Sequence, residues 1–356
     1  MNRLEGLAEW LPDGHCAALV TSGANVRYLC GFFGICGIML VTREQSYLLC
    51  EAASFEQARR NVNCCRVMLT DNASGQLFDL LVKHNVKRIF VETDSMTVRE
   101  LSYYKESLHY AEIDGSDELS EKLMSMRLVK SEDEIALIAR AQRISEKAYE
   151  RLLGTIRCGM SEKQIAAMMN YLLMDCGADG LSFLTKVASG ENCSYPNALP
   201  TDRKLGKGEL LTLEFGAVRG GYHSKTTRTI AAGSVGAKTE ETYNAVRSAC
   251  SDAIKVLRAD VNGKVADSVA RSTLNAWGEL DRFFPTDLGH GLGLSVNEAP
   301  FLSRKGGCVL RAGMVVTVEP CVCIPGKLGI RMADIAVIDE NGCMNLTNCT
   351  KNLIRI

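Results

Sequence analysis

Leu210-Leu211-Thr212-Leu213-Glu214-Phe215-Gly216-Ala217, followed by Gly221-Tyr222-His223-Ser224-Lys225-Thr226-Thr227-Arg228-Thr229-Ile230-Ala231, is the stretch on which the reading of the fold turns. Both runs are rich in β-branched and apolar residues and read as strands. Strand alternation puts residues two apart on one face, so Thr212 should share a face with Glu214, and His223 with Lys225. Further along, 314–319 and 334–338 also read as strands. Helical periodicity lies between and before them. Ser131-Glu132-Asp133-Glu134 has capping-box spacing and opens a helix to about residue 156, and Ser161-Glu162-Lys163-Gln164 opens a second that ends near Cys176-Gly177. Two more helices are expected over 240–257 and 265–277. Helices interleaved with long antiparallel-looking strands argue for an α+β second domain, 127–356.

The first half alternates short strands with helices. Residues 17–21 form a strand, 37–42 and 46–50 flank Arg43-Glu44-Gln45 as a hairpin, 54–61 is helical and 88–92 is another strand. That order implies a three-layer α/β domain, 1–126.

Composition bounds the function. The chain has 356 residues and 46% hydrophobic content, enough for about two domains. Its 41 Lys and Arg against 42 Asp and Glu give a net charge of −1, which removes the charge argument for nucleic acid or for a polybasic membrane contact. No apolar run approaches the roughly 20 residues a bilayer demands. Met1-Asn2-Arg3-Leu4-Glu5 has no apolar signal core, so a cytoplasmic protein is expected. Fifteen scattered cysteines, an odd number with no CxxC pair, favour free thiols. Histidine is scarce: His15, His84, His109, His223 and His290 are all there are.

Several ordered motifs carry a resemblance. They are Arg127-Leu128-Val129-Lys130-Ser131 with Glu134-Ile135, Ala188-Ser189-Gly190-Glu191-Asn192 with Pro196 and Pro200, and the 214–229 stretch itself. Gly289-His290-Gly291-Leu292-Gly293-Leu294, Val318-Glu319-Pro320 and Gly329-Ile330-Arg331-Met332-Ala333-Asp334 complete the set. Together they resemble the pita-bread hydrolases, the group of Xaa-Pro aminopeptidases, prolidases, methionine aminopeptidases and creatinase. Asn25-Val26-Arg27-Tyr28-Leu29-Cys30-Gly31-Phe32 is similar to the N-terminal domain of the Xaa-Pro peptidase and creatinase branch. The resemblance covers essentially the whole chain and implies a creatinase-like N-terminal domain, a C-terminal pita-bread domain and a homodimer. Family membership alone does not give a function.

The family's five metal ligands are Asp, Asp, His, Glu and Glu, bridging two divalent ions. By the resemblance, the matching positions here hold Glu214, Lys225, His290, Glu319 and Ala333. Two metal ions require several anionic oxygens; an ammonium at a bridging position fills the space and repels the ion. One carboxylate has become a cation and another a methyl group, so the anions were lost with the cations they would hold. An internal salt-bridge cluster of Glu214, Lys225 and Glu319 is the bland reading, since buried charges must be paired. The histidine that relatives carry after the loop proline is Asn197 here, and another after the Gly-His-Gly motif is Asn297. Asparagine offers a hydrogen bond but takes up no proton at neutral pH. The Asn197 position is that of creatinase's catalytic histidine, so creatine hydrolysis is not supported.

The remaining candidates are His290, Glu319 and His223 for catalysis, and Glu214, Lys225, Asn197, Asn297 and Arg331 for ligand contact. Cys321 and Cys323 beside Glu319 can ligate a soft metal with His290, or serve as small apolar fillers. No cofactor is expected, although a single divalent ion on Glu214, His290 and Glu319 is an alternative. The expectation is a metal-free hydrolase-like or ligand-binding protein for a small polar, amino-acid- or dipeptide-like molecule, with no nucleic-acid or membrane partner. The alternatives are an Xaa-Pro dipeptidase or aminopeptidase with weak mononuclear activity, and a catalytically silent interaction protein. If active, it is a hydrolase of Xaa-Pro peptidase or amidinohydrolase type.

Overall fold

The computed structural model describes residues 2–34 and 37–356. Met1, which begins the N-terminal reading, and Cys36, one of the fifteen cysteines, lie outside the described residues. The chain forms two units, Met1–Arg127 and Leu128–Ile356.

The first unit is built on one mixed sheet. Its strands are β1 (Cys16–Val20), β2 (Ile38–Thr42), β3 (Ser46–Cys50), β4 (Arg66–Leu69), β5 (Arg88–Val91) and β6 (Glu112–Asp114), in the spatial order β4-β3-β2-β1-β5-β6. The hairpin expected around residues 43–45 is present, with β2 antiparallel to β3. All five residues of β1 are buried, which requires cover on both faces of the sheet. Ala17, Leu19, Ile89 and Val91 pack with Leu77, Leu80 and Leu81 of a helix over Ala73–Lys83. On the opposite face, Trp10, at the end of the Arg3–Trp10 helix, stacks obliquely on Phe90 with ring centroids 5.1 Å apart. Three layers result.

The second unit opens with two helices, α1 (Glu132–Leu153) and α2 (Glu162–Asp175), each begun by a capping box. Ser131 and Glu134 exchange hydrogen bonds of 2.8 and 3.3 Å, and Ser161 and Gln164 exchange bonds of 2.8 and 3.1 Å. The first helix stops at Leu153, short of residue 156, where Gly154 takes the cap position. Strands β7 (Gly180–Leu181), β8 (Lys186–Ser189), β9 (Leu210–Phe215), β10 (Ala217–Arg219), β11 (Tyr222–His223) and β12 (Thr226–Ala231) follow. They make two three-stranded sheets, β12-β9-β8 and β11-β10-β7. Helices α3 (Ala237–Lys255) and α4 (Gly263–Ala276) lead to β13 (Gly289–Gly291), β14 (Glu298–Leu302), β15 (Val315–Val318), β16 (Cys321–Ile324), β17 (Leu328–Arg331), β18 (Asp334–Ile338) and β19 (Cys343–Asn345). One apolar core lies beneath α1 and α2 and a second beneath α3 and α4. The fold is α+β, as expected: a three-layer α/β unit is followed by a unit of helices and mostly antiparallel sheets.

Contacts made by three successive residues, Thr227, Arg228 and Thr229, join the sheet systems. Thr229 Oγ1 accepts from Arg331 N and donates to Arg331 O, both at 3.0 Å. Thr227 and Ala333 form an antiparallel bridge. Arg228, buried between them, pairs with buried Asp334 at 2.8 Å, so the strand ends that carry Glu214 and Arg331 are held side by side. Among the described residues, the cysteines are free thiols and no helix is long and apolar enough to cross a membrane.

Candidate functional site

Where these strands converge there is a cleft of about 400 Å³. Antiparallel register builds its first wall: on β9, Glu214 lies opposite Lys186 of β8 on one side and Thr227 of β12 on the other. Facing cross-strand side chains of opposite charge interact directly, and Lys186 Nζ donates to Glu214 Oε1 at 3.3 Å. Lys225 is presented just before β12. His290 sits in β13 between two glycines that only a residue without Cβ can occupy. A Cβ on Gly289 would come within 1.9 Å of Thr317 O, and one on Gly291 within 2.1 Å of Ala299 O. That close approach of β13 to β15 brings His290 beside Glu319, which follows the last residue of β15. Glu319 N donates to Leu288 O at 2.6 Å, while Thr317 Oγ1 accepts from His290 N at 3.2 Å.

The centre of the cleft is an ammonium group. Lys225 Nζ lies 2.7 Å from Glu319 Oε2, 3.2 Å from His290 Nε2 and 3.9 Å from Glu214 Oε1. His290 Nδ1 is 2.9 Å from Gly291 O. A carbonyl only accepts, so the hydrogen bonding assigns the ring proton to Nδ1, and Nε2 offers its lone pair to the lysine. Glu319 Oε1 stands 3.1 Å from the same Nε2, yet it has no hydrogen-bond partner among the described residues. Burial would raise the Glu319 pKa, but the Lys225 ammonium, helped by the adjacent His290 ring, outweighs it and holds the carboxyl well below the usual carboxylate range. Burial likewise works against the charge on Lys225, and Glu319 and then Glu214 reverse it, so the ammonium titrates above its ordinary range.

Arg331, at the end of β17, closes the other side. Its Nη1 is 3.5 Å from Glu214 Oε2 and also donates to Pro196 O; Nη2 donates to Tyr195 O at 3.4 Å. Its Nε is buried with no partner among the described residues.

The structure therefore places Glu214, Lys225, His290, Glu319, Arg331, Asn197 and Asn297 at one cleft. Asn197 and Asn297 are exposed at its mouth, and Asn197 Oδ1 accepts from Lys186 at 3.4 Å. His223 is elsewhere. Its Nδ1 is 2.8 Å from Ser182 Oγ, it pairs with Val218 across β10 and β11, and it does not line the cleft. The expected alternation from His223 to Lys225 fails because the chain leaves β11 after His223 and enters a different sheet at Thr226. Ala333 is buried opposite Thr227 and contributes no side-chain oxygen. Cys321 lines the cleft, its Sγ 3.8 Å from Thr286 Oγ1. Sequence reasoning does not single out Lys186. A lone lysine in the run Lys186-Val187-Ala188-Ser189 is its only signal, and its meaning depends on the register with β9. Among the described residues, no group of three or more His, Cys, Asp or Glu stands where it could hold a metal ion.

Comparison with known proteins agrees with this fold. Residues 136–340 match the model of metallopeptidase family M24, and residues 3–129 match the creatinase/prolidase N-terminal domain. An uncharacterized peptidase of Bacillus subtilis is 35% identical over 337 residues, 94% of each chain. The Xaa-Pro dipeptidase of Pyrococcus horikoshii is 31% identical, covering 95% of this chain and 94% of its own. Among solved structures, an Xaa-Pro dipeptidase from Bacillus anthracis superposes with a TM-score of 0.93 at 30% identity, covering 99% of this chain and 98% of its own. An X-Pro aminopeptidase from Thermotoga maritima does so at 0.92, also at 30% identity, covering 99% and 100%. The chain belongs to metallopeptidase family M24, with a creatinase/prolidase N-terminal domain ahead of the peptidase-type domain.

Proposed function

We propose that this chain is a metal-free member of its family, and that its cleft binds a small polar molecule of amino-acid or dipeptide type. One observation carries the reading: Lys225 Nζ, 2.7 Å from Glu319 and 3.2 Å from His290, takes up the carboxylate and the imidazole lone pair that a metal ion would need. A divalent ion in the same space would meet a fixed positive charge at contact distance, a repulsion of several kcal/mol at about 4 Å even at an effective dielectric of about 20. Glu214 is likewise shared among Lys186, Lys225 and Arg331, and Ala333 has no donor to give. The residues present do not fit the family's two divalent ions.

Loss of the metal removes its Lewis acid and its activated water. The residues left offer no replacement base: the His290 lone pair is engaged by Lys225, and the mouth carries Asn197 and Asn297, which take up no proton at neutral pH. Charge-assisted hydrogen bonding is what the arrangement does best, and that is ligand binding.

The names of the relatives favour a second reading, an Xaa-Pro dipeptidase working weakly with one divalent ion on Glu214, His290 and Glu319. Turnover of Xaa-Pro dipeptides with added manganese or cobalt separates the two. The metal-free reading expects no turnover by the native chain. Cleavage by that chain, lost in Glu319→Gln, overturns it. The paired change Lys225→Asp with Ala333→Glu, which restores two anionic ligands and removes the ammonium, is expected to bring manganese binding back.

A further inference from the structure

Two polar atoms in this cleft have no hydrogen-bond partner among the described residues, and they are of opposite kind. Arg331 Nε is a buried donor and Glu319 Oε1 a buried acceptor. Leaving such groups unmet costs far more than an ordinary hydrogen bond gains, so a molecule that satisfies both is strongly selected. Register places the two near each other: Arg331 pairs with Cys321 across β16 and β17, and Cys321 is two residues beyond Glu319.

Charge narrows the ligand further. Lys186, Lys225 and Arg331 face Glu214 and Glu319, three cations against two carboxylates. Asp287 is exposed at the rim. The inner cleft is thus one positive charge in excess. A guanidinium or amine clasped between the two glutamates is disfavoured. Glu214 Oε1 already faces Lys186 at 3.3 Å and Lys225 at 3.9 Å, and Oε2 faces Arg331 at 3.5 Å. Lys186 is the least enclosed of the three cations, its side chain 25% exposed, and with Glu214 and Asn197 taking two of its ammonium protons it has a third to direct at a ligand. The volume, about 400 Å³, lies at the small end of ligand pockets.

Resting on the metal-free reading above, we propose that the cleft takes a small carboxylate carrying an adjacent N–H donor. The carboxylate lies against Arg331 Nε and Lys186 Nζ, and the N–H donates to Glu319 Oε1. A ligand of net charge −1, such as an N-acyl amino acid, matches the excess charge as well as both unmet atoms. Lys225 occupies Glu319 Oε2, so Oε1, 3.1 Å from His290 Nε2, is the oxygen left without a hydrogen-bond partner among the described residues.

Isothermal titration of the full chain with N-acetyl-L-alanine, its methyl ester, L-alanyl-L-proline and agmatine tests this. N-acetyl-L-alanine is expected to bind, and the ester, without its carboxylate, to bind about ten-fold more weakly or worse. Agmatine is expected not to bind. Arg331→Lys keeps the charge but removes the Nε–H and is expected to weaken N-acetyl-L-alanine by about ten-fold without altering the ester. Because Arg331 also holds the carbonyls of Tyr195 and Pro196, Lys186→Met provides an independent variant with the same direction of effect. Equal binding of acid and ester, preference for agmatine, or no binding of N-acetyl-L-alanine overturns the proposal. If L-alanyl-L-proline alone binds to a chain free of metal, the ligand class is wrong and the metal-free reading stands. A stoichiometric divalent ion in the purified protein overturns both.

Discussion

Lys225 and Glu319 support each other at the scale of single residues. Removing one partner of a buried pair leaves the other uncompensated, typically at about 3–5 kcal/mol. The Glu319 side chain is 20% exposed, so Glu319→Gln is expected at the lower end of that range, read by urea denaturation. The pH dependence has a definite sign. Glu319 is held below its ordinary value of 4.5, so its contribution is complete above that value and fades as the pH falls beneath it. Lys225 is held above its ordinary 10.5, so its contribution is complete below that value and is lost as the pH rises through the folded-state value. The acid limb of stability, between about pH 5 and 3, should therefore be shallower in Glu319→Gln than in the native chain. Wild-type steepness retained in that variant would contradict this. Glu214, Lys225, His290 and Glu319 are legible as one group in the sequence because ordered motifs bracket each of them. Lys186 is not. Its partner is chosen by strand register, and register emerges only when three strands are assembled.

At the scale of elements, one buried carboxylate organises the loop that forms the mouth of the cleft. Glu162, in the first turn of α2, accepts from Ser189 N at 2.7 Å, Ser189 Oγ at 2.8 Å, Asn192 Nδ2 at 3.1 Å, Thr201 N at 2.9 Å and Thr201 Oγ1 at 2.6 Å. Burial would raise its pKa, but the Thr201 and Ser189 bonds prevail and lower it. Both ends of the segment bearing Pro196 and Asn197 are thereby tied to the helix. Glu162→Ala should cost at least about 2 kcal/mol, since several charge-assisted bonds lose their acceptor together. Limited proteolysis within 190–201 should become faster, whereas unchanged cleavage would show that the loop is held by other contacts. The capping boxes that open α1 and α2 are legible because both halves of the motif lie within four residues. The path from His223 to Lys225 is not. Alternation assumes one continuous strand, and Ser224 and Lys225 carry the chain from one sheet to another.

For the whole molecule, two-domain length, near-neutral charge and motif order are enough to identify the architecture. What they do not give is the orientation of side chains inside the cleft, which depends on contacts between strands more than 100 residues apart, such as Glu214 and Arg331. A tethered ammonium also has a consequence for the entire chain. An ion bound at a hundred times its dissociation constant would stabilise the fold by about 2.7 kcal/mol, and a chelator would remove that. The Tm of this protein is expected to be the same with and without EDTA. Whether Lys225 excludes a metal ion is read from metal content. The chain is equilibrated with manganese, freed of unbound ion by gel filtration, and its metal-to-protein ratio is measured. With Lys225 in place, a ratio near zero is expected for the native chain, and a marked rise when Lys225→Asp is combined with Ala333→Glu. A native ratio of one ion or more per chain, abolished by Glu319→Gln, would contradict it.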